Sequence, residues 1–401
     1  MKNKVISLLY ALILGSVIGL IIFTFIKVVD ISIDVIWHKI PENTNIPFYT
    51  LLVCLLGGII IGLLKRNKKD YPEDLAVVLK KVKKSGRYDY HSLKDMIIFA
   101  YLPLAFGGSV GPEAGLTGII AALCTWAKDK FKNLFKEINE LTKIGFSAAL
   151  STIFSPLFGI VEPIENEDVK IPRSKKAILY LTTILGAFFT MFILRNIFKG
   201  NGFISSFGSS SIQIRECILL IPLCLIGCIV GLIYLLIHKY INKISKLFNN
   251  KVFIKCVIGG LIIGIVGTLL PLTMFSGEKE IEILAEKYNE IGVIFLLLIG
   301  IFKLFLTSSS IAFGFKGGHF FPCIFAGICF GYAFGIMFNI DLVFSVCVVT
   351  TSFMSFILKK PIATVLLLLL CFKISELPIM LVAAFLGSLI GGIKCEKAEK
   401  Y

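Results

Sequence analysis

GGSVGPEAG, from Gly107 to Gly115, and GFKGGHFFP, from Gly314 to Pro322, are two glycine-rich stretches set in apolar sequence. Glycine and proline interrupt a membrane helix at a cost, because the freed backbone N–H and C=O groups find no water in hydrocarbon. Such groups must be buried in protein or line a polar cavity. Two breaks of this kind imply a lined path through a bilayer. The surrounding chain fits that reading: of 401 residues, 56% are hydrophobic and 17% charged, and the mean hydropathy is +0.88. This is far more apolar than a soluble domain, and predicts an all-α, polytopic integral membrane protein.

Apolar runs cover residues 5–29, 48–64, 96–126, 177–198, 217–237, 253–275, 291–302, 311–340 and 342–358. Several reach the roughly 20 residues that a spanning helix needs. Three others, 145–161, 361–372 and 377–393, are shorter and point to tilted or broken helices. Lys2 and Lys4 precede the first run as in a secretory signal. The run is about twice the length of a signal core and lacks a small-residue cleavage site, so a retained first helix is expected.

The net charge of +15 does not point to nucleic acid. Its lysines and arginines cluster in the connections 65–69, 80–87, 128–136, 170–176 and 239–251, as positive-inside orientation and contact with anionic lipid headgroups require. The N-terminus is accordingly placed in the cytoplasm. The same charge also serves a basic vestibule that concentrates anions. Eleven cysteines show no metal or disulfide spacing and read as small buried hydrophobes. No metal or other cofactor is expected.

A polar stretch at 162–176 separates two apolar halves, 1–161 and 177–393, and a polar tail covers 394–401. Each half carries one glycine-rich break and a later proline in apolar context, Pro156 in SPLFGI and Pro361 in KPIATV. Matched interruptions are the pointer to an internal repeat with a substrate site at the repeat interface. No polar stretch is long enough to fold alone, so a cytoplasmic regulatory module is not expected.

Glu113 stands among Gly111, Pro112, Ala114 and Gly115. An acid in a membrane segment is expensive unless it faces a cavity or a partner, which makes it a functional candidate. Pro112 suits the first turn of a helix, and the glycines let backbone amides approach a ligand. The free N–H groups of a helix start attract an anion; a carboxylate there can take the anion's place and leave it when protonated. The alternative is a carboxylate that merely caps a helix. In the second break the usable groups are the amides of His319 and Phe320, beside Gly318, walled by aromatic rings whose positive edges tolerate an anion. The His319 ring itself reads either as hydrogen-bonded packing or as a proton relay.

These residues resemble the CLC family of chloride channels and proton/chloride antiporters. Gly111 and Glu113 match the first and third positions of the family's GxEGP signature, after the GGS of Gly107, Gly108 and Ser109. Gly318, Phe320 and Pro322 match its GxFxP signature, and SPLFGI resembles the segment after the first signature. The resemblance implies many tilted helices in two inverted repeats, and a homodimer with one anion pathway per subunit. It also implies that Glu113 is the gating glutamate and that the His319 and Phe320 amides help form the central anion site. The antiporters relay protons through a second, inward glutamate just after SPLFGI, where this chain offers Glu162, Glu165, Asn166 and Glu167. Glu165 and Glu162 are the candidates, with a simple polar loop as the alternative.

Two departures stand out. Where the family has GSGIP this chain reads KKDYP over 68–72, keeping the proline and losing the anion-coordinating serine. Lys69 falls near that position and reads as a cytoplasmic loop lysine. The family's pore tyrosine lies in the final helix, whereas Tyr401 is the only tyrosine after Tyr332. An intramembrane enzyme would need a metal or a partnered nucleophile. There is no HExxH, and Ser308 to Ser310 with His319 lack a partnered acid. The reading is therefore anion transport in a membrane of bacterial type: chloride by proton-coupled antiport, with passive conductance or another monovalent anion such as fluoride or nitrate as the alternatives.

Overall fold

The computed structural model describes residues 2–44, 46–66, 68–130, 141–154, 173–198, 207–211 and 213–398. Among them the regular structure is helical, and the only β-type pairing is an isolated antiparallel bridge between Gly111 and Gly318. Seven described helices are long and apolar enough to cross a membrane: Ile6–Asn43, Ala177–Phe198, Ile214–Lys246, Val252–Leu269, Val293–Ala312, Phe320–Phe338 and Ile374–Gly392. Their outward faces are apolar. Ile214, Ile218 and Ile221, at 81%, 69% and 60% exposure, have hydrocarbon as their natural environment.

The chain forms two compact units, one from Met1–Asn45, Lys68–Ala105 and Pro112–Gly202, the other from Ile46–Asn67, Phe106–Gly111 and Phe203–Tyr401. In the first, helix Lys2–Asp34 packs on Arg173–Phe198 with the backbones almost touching. A Cβ at Gly19 would fall 2.5 Å from the Ala187 carbonyl oxygen, and one at Gly186 2.4 Å from that of Leu12. Membrane helices gain little from apolar burial against one another, so small residues that let backbones approach take over. Helix Leu75–Ser85 opens with the Asp74 carboxylate accepting from Ala76 N–H, and closes at Gly86 in the left-handed region. It buries Val78 and Val82 and turns its lysines outward. This helix and Leu93–Ala105 both pack on Glu113–Lys130.

The second unit uses the same small-residue device. Helices Tyr49–Lys65 and Val252–Leu269 meet where Gly58 abuts the Cys256 carbonyl and Gly260 abuts that of Cys54, with hypothetical Cβ contacts of 2.5 and 2.3 Å. Ile214–Lys246 lies on Leu342–Leu358 through Gly227 and Gly231, and Leu377–Ala398 lies on that helix through Gly387 and Gly391. Each pair has GxxxG spacing, a signal the hydropathy pattern does not carry.

The expected apolar run 96–126 is two helices parted at 106–112, and 311–340 is parted at 313–319, each at its glycine-rich stretch. The run 291–302 continues through a lysine as Val293–Ala312. The stretch expected to be short at 377–393 is a helix of 22 residues, Leu377–Ala398. Most of the polar connection at 162–176 lies outside the described residues, and helix Arg173–Phe198 begins within its last part.

Candidate functional site

In the first unit, Glu113 opens helix Glu113–Lys130 and is 0% exposed. Pro112 supplies the carbonyl that accepts from Leu116 N–H (2.9 Å), placing the proline where a missing N–H costs nothing. Thr117 Oγ1 donates back to the Glu113 carbonyl at 2.7 Å. Gly115 is required by packing, since a Cβ there would stand 2.5 Å from the Ala100 Cβ of helix Leu93–Ala105. The carboxyl thus sits at the positive end of a helix, on a residue that is fully buried.

In the second unit, Gly111 and Gly318 exchange two backbone hydrogen bonds of 2.8 Å each, which hold the GGSVG approach against the second break. Ser109 adds two further ties: its N–H donates to Ser310 Oγ (3.2 Å), and its hydroxyl meets Thr307 Oγ1 (3.1 Å). Thr307 and Ser310 therefore belong to the scaffold of the break. Gly317 allows this approach, as a Cβ there would fall 2.6 Å from Val110 and 2.9 Å from the Gly111 carbonyl. Gly314 turns the chain at φ 103°, in the left-handed region. Helix Phe320–Phe338 then starts, with His319 as its N-cap residue and Cys323 N–H to the His319 carbonyl (3.0 Å) as the first intrahelical bond. The amides of His319 and Phe320 precede that bond, as anion donors at a helix start must.

The fold therefore brings Gly111 and Gly318 together, seats Pro112 and Glu113 at one helix start, and seats His319 and Phe320 at the other. The His319 ring stacks on Tyr234 (centroids 6.3 Å, 27°) and meets Phe320 edge-on (4.7 Å, 63°). Glu162, Glu165, Asn166, Pro156 and Tyr401 lie outside the described residues.

The KKDYP segment is fixed at an exposed edge of the first unit. Lys69 pairs with Asp89 at 2.8 Å with 67% of its side chain exposed, and Lys68 pairs with Asp95 at 3.1 Å. The Lys69 hydrogen bond, then the His91 amide, hold the Asp89 carboxyl below the usual carboxylate range. Glu73 accepts from Lys81 (2.5 and 2.7 Å) and from the Tyr88 hydroxyl (3.1 Å). Burial, followed by the charge of Glu73, pushes the Tyr88 phenol up. Lys69 is thus a surface lysine, as its sequence context indicates.

Sequence reading missed Lys303. It is 0% exposed, donates to the carbonyls of Met274 (2.7 Å) and Phe275 (2.9 Å), and stands 4.9 Å from the Phe325 ring centre. A single lysine in GIFKLFL was a readable signal, because an intramembrane charge is by default a candidate. Its partners here are backbone carbonyls, so it fixes the turn at 274–277 onto its own helix, Val293–Ala312, which leads into the second break, while Gly277 of that turn abuts Phe325 of the helix that follows it.

Comparison with known proteins agrees with this arrangement. The family model described as "Voltage gated chloride channel" matches residues 76–392. The YfeO proteins of Salmonella choleraesuis (strain SC-B67) and Salmonella newport (strain SL254), named for ion transport, are each 26% identical over 341 residues, 80% of this chain and 78% of theirs. A slow cyanobacterial Cl⁻/H⁺ antiporter superposes with a TM-score of 0.74 at 19% identity, covering 98% of each chain. A CLC-type fluoride/proton antiporter superposes at 0.73 and 19% identity, covering 97% of this chain and 94% of its own.

Proposed function

The chain belongs to the voltage gated chloride channel family, and on that premise we propose that it moves chloride across the membrane in exchange for protons, with Glu113 as the gate. The observation that carries the proposal is a fully buried carboxyl opening a largely buried helix. Ionised, it occupies the positive end of the helix in place of an anion; protonated, it gives up that position. Gly111 and Pro112 shape this start. At the other break, Gly318 and the amides of His319 and Phe320 bind the anion through backbone dipoles that need no permanent charge. Glu165 or Glu162 is the candidate for the inward proton relay, with a simple polar loop at that place, and proton entry elsewhere, as the alternative. A homodimer in a bacterial plasma membrane, in contact with anionic lipid, completes the proposal; the Salmonella relatives and the basic connections support it.

The test is efflux from proteoliposomes under an imposed chloride gradient, with internal pH recorded and valinomycin clamping the voltage. Chloride flux with uphill proton movement is the expected result. Chloride flux alone would make the protein a passive channel. Flux of fluoride or nitrate without chloride would mean that the altered KKDYP segment accompanies a different cargo.

A further inference from the structure

We infer that His238, Tyr234 and His319 form a proton route from the basic end of helix Ile214–Lys246 to the second break, a role that rests on the proton-coupled reading above. The start of this helix is pinned to the end of Phe320–Phe338. Arg215 Nη2 donates to the Phe338 carbonyl at 2.7 Å, and the Asp341 amide donates to Glu216 Oε1 at 3.3 Å. Arg215 to Tyr234 and Phe338 to His319 are equal lengths of chain, each about 28 Å at 1.5 Å per residue. At that depth their rings meet, with centroids 6.3 Å apart. One turn further on, the His238 ring lies 5.8 Å from Tyr234 at 30°. Beyond it come Lys239, Lys243 and Lys246, the end that positive-inside orientation assigns to the cytoplasm. The polar rings thus follow one another between that end and the break at centroid separations of 5.8 and 6.3 Å.

The surroundings isolate the stack. Tyr234 is 4% exposed, and Phe353 closes on its edge (6.5 Å, 84°). Helix Leu342–Leu358 contributes only Cys347 as a titratable group, and Phe320–Phe338 contributes Cys323, Cys329 and Tyr332. On Val293–Ala312 the ionisable residue is Lys303, whose ammonium is held by the carbonyls of Met274 and Phe275. On their own helix, Cys224 and Cys228 precede Tyr234, and Tyr240 follows His238.

Imidazole takes a proton at one nitrogen and releases one from the other, and a phenol accepts at oxygen while donating its own proton. A proton entering at His238 makes an imidazolium, which gives a proton to the Tyr234 oxygen. The original Tyr234 hydroxyl proton passes to His319, directly or through one water. One proton has moved and the phenol is neutral. Ring separations of about 6 Å accommodate one bridging water per step.

The experiment uses the whole chain in liposomes, recording anion efflux and internal pH together for wild type, Tyr234→Phe, His238→Gln and His238→Glu. Tyr234→Phe keeps the ring and its stacking and removes only the oxygen. Proton flux is expected to fall about tenfold or more in Tyr234→Phe and His238→Gln, with anion flux persisting. His238→Glu, which restores a titratable group, is expected to recover it. Unchanged proton flux in the first two variants overturns the route and leaves the Glu113 proposal standing. Equal loss of both fluxes in all three variants makes the stack a packing device and overturns it too. Wild-type protein that moves anions without protons overturns the coupled reading and the route with it.

Discussion

At Glu113 the chain opens a largely buried helix with a carboxyl at 0% exposure, whereas at Phe320 it opens a helix long and apolar enough to span with two phenylalanines at 6% and 0%, behind a histidine. Both starts are bracketed by glycines that admit a neighbour too closely for any side chain, Ala100 at Gly115 and Val110 at Gly317. The backbone device is shared, and the side chains it presents differ. A carboxyl at the positive end of a helix changes charge with a proton, while phenylalanine rings wall a site and leave binding to the amides. Under the proposed function the first start is switchable and the second is fixed. The buried cations are spent in keeping with this: Lys303 holds carbonyls and no carboxylate within hydrogen-bond reach.

The comparison is most severely tested at the glycines. Gly115→Val drives methyls into Ala100, and overpacking of this kind costs about 3 kcal/mol. A large fall in the melting temperature in detergent is expected, partly restored by Ala100→Gly in the same chain. No fall would mean that the two helices are not in contact at that residue. Next is Lys303→Met, which leaves two buried carbonyls without their donor at a cost of about 2 kcal/mol. It should lower the melting temperature and weaken anion binding together, because the turn it holds packs on the second-break helix. Weakened binding with an unchanged melting temperature would instead assign Lys303 a direct part in the anion site.

A smaller effect separates amides from side chains. Phe320→Pro deletes one N–H at a position where proline is compatible with a helix start, and should weaken anion affinity about fivefold, near 1 kcal/mol. Phe320→Leu keeps the amide and should weaken it less. Equal affinities in two folded variants would remove the amide from the site. The smallest effect is expected at Lys69→Ser, which recreates the family's serine. Because Lys69 is an exposed partner of Asp89, melting at pH 7 should shift by no more than about 2 °C. Asp89 is held below its ordinary value, so its contribution is full above the unfolded value of about 3.9. It is lost as pH falls through the folded one, and this acid sensitivity should lessen in Lys69→Ser, where only the His91 amide still holds the carboxylate. A large gain in anion affinity would show that the segment reaches the pathway after all.

Both helix starts were legible because glycine and proline in hydrocarbon leave a backbone problem that sequence alone exposes. Glu113 was legible for the same reason, as the only acid in its apolar run. Lys303 was equally exposed in sequence but ended an apolar run when counted, and was passed over. Tyr234 was not legible: one tyrosine in GLIYLLIHK has no spacing relation to His319, and only the antiparallel pairing of their helices brings the rings together. The GxxxG pairs at Gly58 and Gly260 are written in the chain, yet which helix each meets is a tertiary fact. KKDYP could be seen to depart from its family, but its pairing with Asp89 and Asp95 required the fold.

The switchable start is tested most directly by Glu113→Gln, which keeps the size of the side chain and removes its charge and its proton. Wild type and variant are reconstituted side by side, and chloride efflux and internal pH are followed under a clamped voltage. The account predicts that the variant still passes chloride while uphill proton movement is abolished. Proton movement that stays in wild-type proportion to chloride in Glu113→Gln would contradict it.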